Sequence, residues 1–395
     1  MSRSRLKTGY FVLEGLNSFA TVLYAYYLYF FMQKVFGFDN LANLTLASVT
    51  GFVCMVSAWW GGRFAQRAGY FTALKLGFGI MAASLLVGLW INSAAGHVCV
   101  MAVYIFGMCL TWPTLEAIVS EAESPAGLQR MVGIYNIVWA GTGAVAYFVG
   151  GAMLDQLGLK VMFYVPAAIH LAQLAGTWWL QKESLRLEAA ARPGSFETTI
   201  AVTDTYRPSF AKSKTFLRLA WLANPLAYIA INTLIAVIPG LAREFGLTAM
   251  LAGFFCSLWC FARLAAFVGL WLWSGWHYRF RWLVAAYVVL IGSFAAILLV
   301  PNLLVLLVAQ LFFGLAVGLL YYSSLFYSMD VGETKGEHGG IHEAVIGFGN
   351  FAGPAVGAAS IYLMPKYPNS GALAVCGLLL VGFGALLTIW RRGSK

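Results

Sequence analysis

Apolar runs of membrane-spanning length follow one another along this chain with hardly a polar break between them. A helix needs roughly 20 apolar residues to cross the hydrocarbon core of a bilayer. Runs of that length stand at 8–33, 42–62, 71–94, 97–120, 130–155, 159–181, 215–242, 248–274, 281–300, 303–329, 339–364 and 369–391. Only 10% of the 395 residues are charged and 61% are hydrophobic, whereas soluble domains carry about 25% charge. A mean hydropathy of +0.78 agrees. The runs lack the apolar–polar alternation, over about 10 residues, that spanning β-strands require. The expected fold is an all-α polytopic membrane protein with twelve transmembrane helices.

Charge predicts its orientation. Cytoplasmic loops are enriched in Lys and Arg. With the N-terminus inside, 20 of the 25 basic residues fall on the cytoplasmic side and 4 outside (Lys34, Lys160, Arg243, Lys366), leaving Arg263 within a span. Both termini are therefore expected in the cytoplasm, and the net charge of +10 is topology rather than a sign of a nucleic-acid partner. MSRSRLKTG leads straight into a span too long for a signal peptide and without a small-residue cleavage site. The expected location is the plasma membrane, the cell inner membrane in a bacterium. The six cysteines fall mostly within spans and read as packing residues. No cofactor and no metal is expected.

One long polar break, 182–214, divides the chain into an N-terminal six-helix bundle (1–181), a cytoplasmic linker and a C-terminal six-helix bundle (215–395). The halves repeat. At an offset of 207, residues 105–123 lie over 312–330, with Phe106 on Phe313, Gly107 on Gly314 and Glu123 on Asp330. Gly133-Ile134-Tyr135-Asn136 then lies over Gly340-Ile341-His342-Glu343. Parallel six-helix repeats are one of the transporter plans. Here the sequence resembles the major facilitator superfamily. Gly62-Arg63-Phe64-Ala65-Gln66-Arg67-Ala68-Gly69 is similar to that family's loop between helices 2 and 3, with Gln66 where the family usually has Asp. Glu123 and Arg130 resemble the Glu-x6-Arg pair of its sugar porters. The resemblance implies two repeat-related bundles, a cavity lined by helices 1, 4, 7 and 10, and transport by alternating access.

Ionisable groups at membrane depth are costly and need partners or a wet cavity. Arg263, in LWCFARLAAF, can hold a substrate carboxylate or phosphate in its planar fork; a fixed ion pair, with Glu343 for instance, is the other reading. Glu14, Asn17, Thr21 and Tyr24 lie along one helix face. Glu14 is a candidate proton carrier or a headgroup-zone charge, and Asn17 and Tyr24 are candidate substrate contacts. Trp112 and Glu116 share a face of helix 4; Glu116 can gate through Arg130 or helix 11, or simply be a helix-end charge. Asn224, Tyr228 and Asn232 recur at every fourth residue, and Gln310 and Tyr321 belong to a comparable stripe on helix 10. Together these suggest a polar, aromatic-lined cavity, with interhelical hydrogen bonding as the plainer reading. Asn136, His342 and Glu343 are gating candidates near the cytoplasmic ends of helices 5 and 11. His170 reads as a packed histidine. The run Gly349–Gly357 with Pro354 reads as a close-packing surface on which the halves could rock.

No GxxxxGK[ST] nucleotide motif is present. The leading reading is a monomeric, proton-coupled secondary transporter of a small organic solute, anionic or zwitterionic, acting as a symporter. An exporter of lipophilic compounds or lysolipids is the alternative. A membrane enzyme or receptor comes last, its one motif being the spacing of His338 and His342, which equally suits two ordinary histidines at a helix entrance.

Overall fold

The computed structural model describes residues 3–121, 123, 125–190, 210–331 and 335–393, and all regular structure among them is α-helical. The first half holds α1 (Arg3–Phe36), α2 (Asn40–Ala68), α3 (Tyr70–Gly88), α4 (Ala94–Ser120), α5 (Pro125–Leu157) and α6 (Val161–Ala190). The second holds α7 (Phe210–Glu244), α8 (Ala249–Cys256), α9 (Leu258–Leu272), α10 (Phe280–Leu299), α11 (Leu303–Val331), α12 (Lys335–Leu363) and α13 (Ser370–Gly393). Short loops reverse the chain at 37–39 and 300–302, for example. Asp39 caps α2 through Ala42 N at 2.9 Å, and Thr248 caps α8 through Leu251 N at 3.2 Å. Gly69, at φ 88°, takes the chain from α2 into α3.

Two expectations about the elements are corrected. The span expected as one helix over 248–274 is two, α8 and α9, bent at Ser257. The Ser257 hydroxyl turns back onto Phe254 O at 3.2 Å, a local bond that competes with regular helix geometry. Among the described residues thirteen helices thus make twelve crossings. Ten crossings are long and apolar enough by themselves to span a membrane. The other two, α1 and α6, carry the polar groups that hold the first half together. The expected linker, 182–214, is also too long at both ends: α6 continues to Ala190, and α7 begins at Phe210.

In hydrocarbon a buried polar atom without a partner is expensive, and α1, α4 and α6 answer with a connected chain. Asn17 Nδ2 bonds Thr111 Oγ1 at 3.2 Å, and Thr21 shares 3.0 Å with the Tyr104 hydroxyl. That hydroxyl reaches His170 Nε2 at 3.1 Å; His170 Nδ1 meets Gln173 at 2.8 Å, and Gln173 donates to Leu13 O at 2.7 Å. His170, fully buried, is the packed histidine its sequence context suggests.

The sequence repeat is visible in the helices, since α4–α5 and α11–α12 fall at corresponding positions of the two halves. The halves meet along two repeat-related seams, α2 against α12 and α5 against α8 and α9. Glycines allow the close approach. A Cβ on Gly347 would stand 2.5 Å from Met55 Cα, and one on Gly133 3.0 Å from the Trp271 ring. Gly349 and Gly353 do something else. A Cβ on Gly353 would meet Ile229 O at 2.5 Å, so this face of α12 is fastened to α7 of its own half. The close contact of α12 with α2 of the first half lies on its neighbouring face, at Gly347 and Asn350.

Candidate functional site

Between the halves is a cavity. Its walls come from α1, α2, α4 and α5 on one side and α7, α9, α11 and α12 on the other. The implied lining by the first, fourth, seventh and tenth spans is therefore too narrow. The helices of the two seams add Cys54, Tyr135, Trp139, Arg263, Glu343 and Asn350.

Arg263, on α9, is 5% exposed. Its guanidinium lies 4.4 Å from the centroid of the Trp139 ring and 5.1 Å from that of Trp259. Indole faces attract a cation without using its N–H groups. No described residue accepts a hydrogen bond from this guanidinium, and its Nε is buried without a partner. The fixed ion pair with Glu343 is not formed: both line the cavity, but no described carboxylate is within 4.0 Å of Arg263.

Three carboxylates gather toward the face that carries the chain termini. Glu116 and Glu343 line the cavity, while Glu14 lies behind the wall with both oxygens buried. Glu14, Glu116 and Glu343 are electrostatic neighbours of one another. The Tyr135 hydroxyl faces Glu14 outside good hydrogen-bonding geometry. Among the described residues no Lys, Arg or His pairs with any of the three. The expected contact of Glu116 with Arg130 is absent, since Arg130 is exposed. Glu123 pairs instead with Lys7 of α1, tying the loop after α4 to the N-terminal helix.

Trp112, Asn232 and Tyr321 also line the cavity. Asn232 bonds Asn350, and the Tyr321 ring lies tilted 5.2 Å from that of Trp139. Asn17, Tyr24, Gln310 and Asn136 are not among the lining residues. Tyr24 is packed inside the first half, 4.7 Å from the Tyr104 ring and 5.7 Å from Phe163. Gln310 and Asn136 are buried with both amide atoms unpartnered. The side chains of His338 and His342 lie outside the described residues.

An inter-half contact lies toward each face of the molecule. Away from the termini, Asp155 of α5 accepts a 2.8 Å bond from Met250 N at the start of α8. An anion there also faces the positive end of the helix dipole. Nearby, Tyr27 donates to Tyr147 O at 2.5 Å. Toward the termini an apolar cluster of Val132, Ala140, Phe267, Tyr321, Leu325 and Ile346 joins α5 to the second half. The site can hold a solute between two such contacts. It offers a guanidinium, carboxylates and aromatic faces for binding.

The family model described as Major Facilitator Superfamily matches residues 106–354. No curated protein sequence is significantly similar to the chain. Among solved structures, the nucleoside transporter NupG superposes with a TM-score of 0.69 at 15% identity, covering 98% of this chain and 99% of that one. A bacterial homolog of the human lysosomal transporter Spinster, inward-facing and occupied, gives 0.70 at 14% identity over 99% and 97%. The human organic anion transporter MFSD10 gives 0.64 at 16% identity over 98% and 100%.

Proposed function

Because the chain belongs to the major facilitator superfamily, and is a multi-pass membrane transporter rather than an enzyme, we propose that it carries a small organic anion or zwitterion by proton-coupled alternating access. The observation that carries this reading is Arg263, buried in the wall of the inter-half cavity with no acceptor for its guanidinium among the described residues. A buried cation in that state gains most from a bound anion, because charge-assisted hydrogen bonds strengthen as water is excluded. Glu14, Glu116 and Glu343 supply the proton sites. They are grouped on adjacent helices with no described cation beside them, so their countercharge comes from solution. Solute and protons then move in the same direction, as symport. The two six-helix bundles rock about the Gly347–Met55 seam, joined by a cytoplasmic link between α6 and α7.

The 20-to-4 distribution of basic residues supports cytoplasmic termini and a plasma-membrane location. A complete cavity within one chain supports a working monomer. The lipophilic-exporter alternative suits an uncharged wall, and this wall carries Arg263, Glu116 and Glu343.

A thermal-shift screen of organic acids and sugars on the wild type and Arg263→Ala tests the reading. The expected outcome is that acids, and not neutral sugars, stabilise the wild type alone. A solute that stabilises both proteins equally contradicts it.

A further inference from the structure

The cavity wall selects among aromatic residues. It holds eight rings, six Tyr and two Trp, and no Phe among the described residues, although Phe is the commonest aromatic in the chain, with 29 Phe against 19 Tyr and 14 Trp. Lipid-facing and packing surfaces do not discriminate in this way. Rings with a polar tip suit a solute that is flat and apolar on its faces but hydrogen-bonding at its edge. The Trp112 indole N–H, one such tip, is buried without an acceptor.

The small polar side chains of the wall argue against a polyhydroxylated solute. Ser18 donates to Trp139 O at 2.7 Å, Thr50 to Ala47 O at 2.9 Å, and Thr21 is tied to Tyr104. The Asn232 and Asn350 amides bond to each other. A sugar needs many convergent donors and acceptors, and these are already engaged. What remains on offer is a cation beside indole rings, flat ring faces, a few edge donors, and the Glu116 and Glu343 carboxylates that the reading above assigns to protons. We propose that the substrate is a flat aromatic ring bearing an acidic group, its acid held by Arg263 and its faces between Tyr and Trp rings of the two halves. This rests on the anion reading above, and the two can fail separately.

The test is direct binding to purified, detergent-solubilised protein by calorimetry. The probes are benzoate and 2-naphthoate (flat acids), cyclohexanecarboxylate (a puckered acid) and benzyl alcohol (flat and neutral). The expected result is that the flat acids bind about tenfold or more tighter than the puckered one, the size of one aromatic stacking contact. That preference should be lost in Trp112→Leu, and flat-acid affinity should fall at least about tenfold in Arg263→Gln. Equal binding of flat and puckered acids, both lost in Arg263→Gln, overturns the ring inference and leaves the anion reading standing. Benzyl alcohol binding as tightly as benzoate, or acid binding that survives Arg263→Gln, overturns both. Absence of binding by either flat acid up to millimolar concentration also overturns the ring inference. A melting curve for each variant separates lost binding from lost folding.

Discussion

At the scale of single residues the site depends on how Arg263 is held. Two indole rings fix its plane and leave its N–H edges without a described acceptor. Lysine keeps the charge at that position and loses the planar fork. Arg263→Lys is therefore expected to weaken acid binding about tenfold, or about 1.4 kcal/mol, with the melting temperature little changed; titration calorimetry on both proteins measures it. Undiminished binding would mean that a point charge suffices. Glu14→Gln is expected to keep solute exchange across proteoliposomes while abolishing accumulation driven by a pH gradient, and accumulation that persists would remove Glu14 from the coupling. Arg263 was legible because a cation in an apolar run is conspicuous. Tyr135, Trp139 and Asn350 were not, since rings and lone amides within spans serve packing as readily as binding. Tyr24 fell on the wrong face for a geometric reason. The cavity-lining residues of α1 are Ser18, Thr21, Val22, Ala25, Tyr26 and Tyr29. At about 100° per residue that face is rotated about a quarter-turn from the stripe of Glu14, Asn17, Thr21 and Tyr24, and a polar stripe alone does not separate an interhelical network from a cavity wall.

At the scale of elements, the seam between α2 and α12 is set by absent side chains. A Cβ on Gly347 would stand 2.5 Å from Met55 Cα, backbone that cannot step aside without parting the helices. Gly347→Ala is expected to lower the melting temperature. Gly79→Ala on α3, where a Cβ meets nothing within 4 Å, is expected to be neutral or to stabilise by up to about 1 kcal/mol through helix propensity. Equal melting temperatures for the two variants would show that the seam tolerates bulk. On the opposite face, Asp155→Ala removes the carboxylate that caps α8 from the other half. Spin labels at Leu157 and Arg243 should then show a longer-distance population, and an unchanged distribution would mean that this bond is not a latch. The helices themselves were readable as apolar runs. The bend at Ser257 was not, because neither Pro nor Gly marks it. The Gly349–Gly357 run announced close packing but not against which helix, since sequence periodicity does not say which neighbour a face meets.

At the scale of the whole molecule, internal repetition was the strongest signal. The 207-residue offset reappears as α4–α5 and α11–α12, and the two seams between the halves are repeat-related as well. Twelve crossings place both termini on one face, and the basic residues argue that this face is cytoplasmic; protease cleavage of tags at each end in sealed inside-out vesicles should remove both. The substrate was less legible, because a cavity's chemistry depends on which face of each helix turns inward, and that is decided by packing across the repeat. The central claim is that one cavity between the halves is reached from both sides and is filled by an acid bound at Arg263. Cys54, in the cavity wall, allows a direct test. In a protein whose other cysteines are replaced by serine, Cys54 is exposed to a membrane-impermeant maleimide, added to each side of sealed proteoliposomes in turn. Labelling is predicted from either side, slowed by 2-naphthoate when Arg263 is present and not slowed in Arg263→Gln. Labelling from one side alone, or at a rate that no acid alters, would contradict the account.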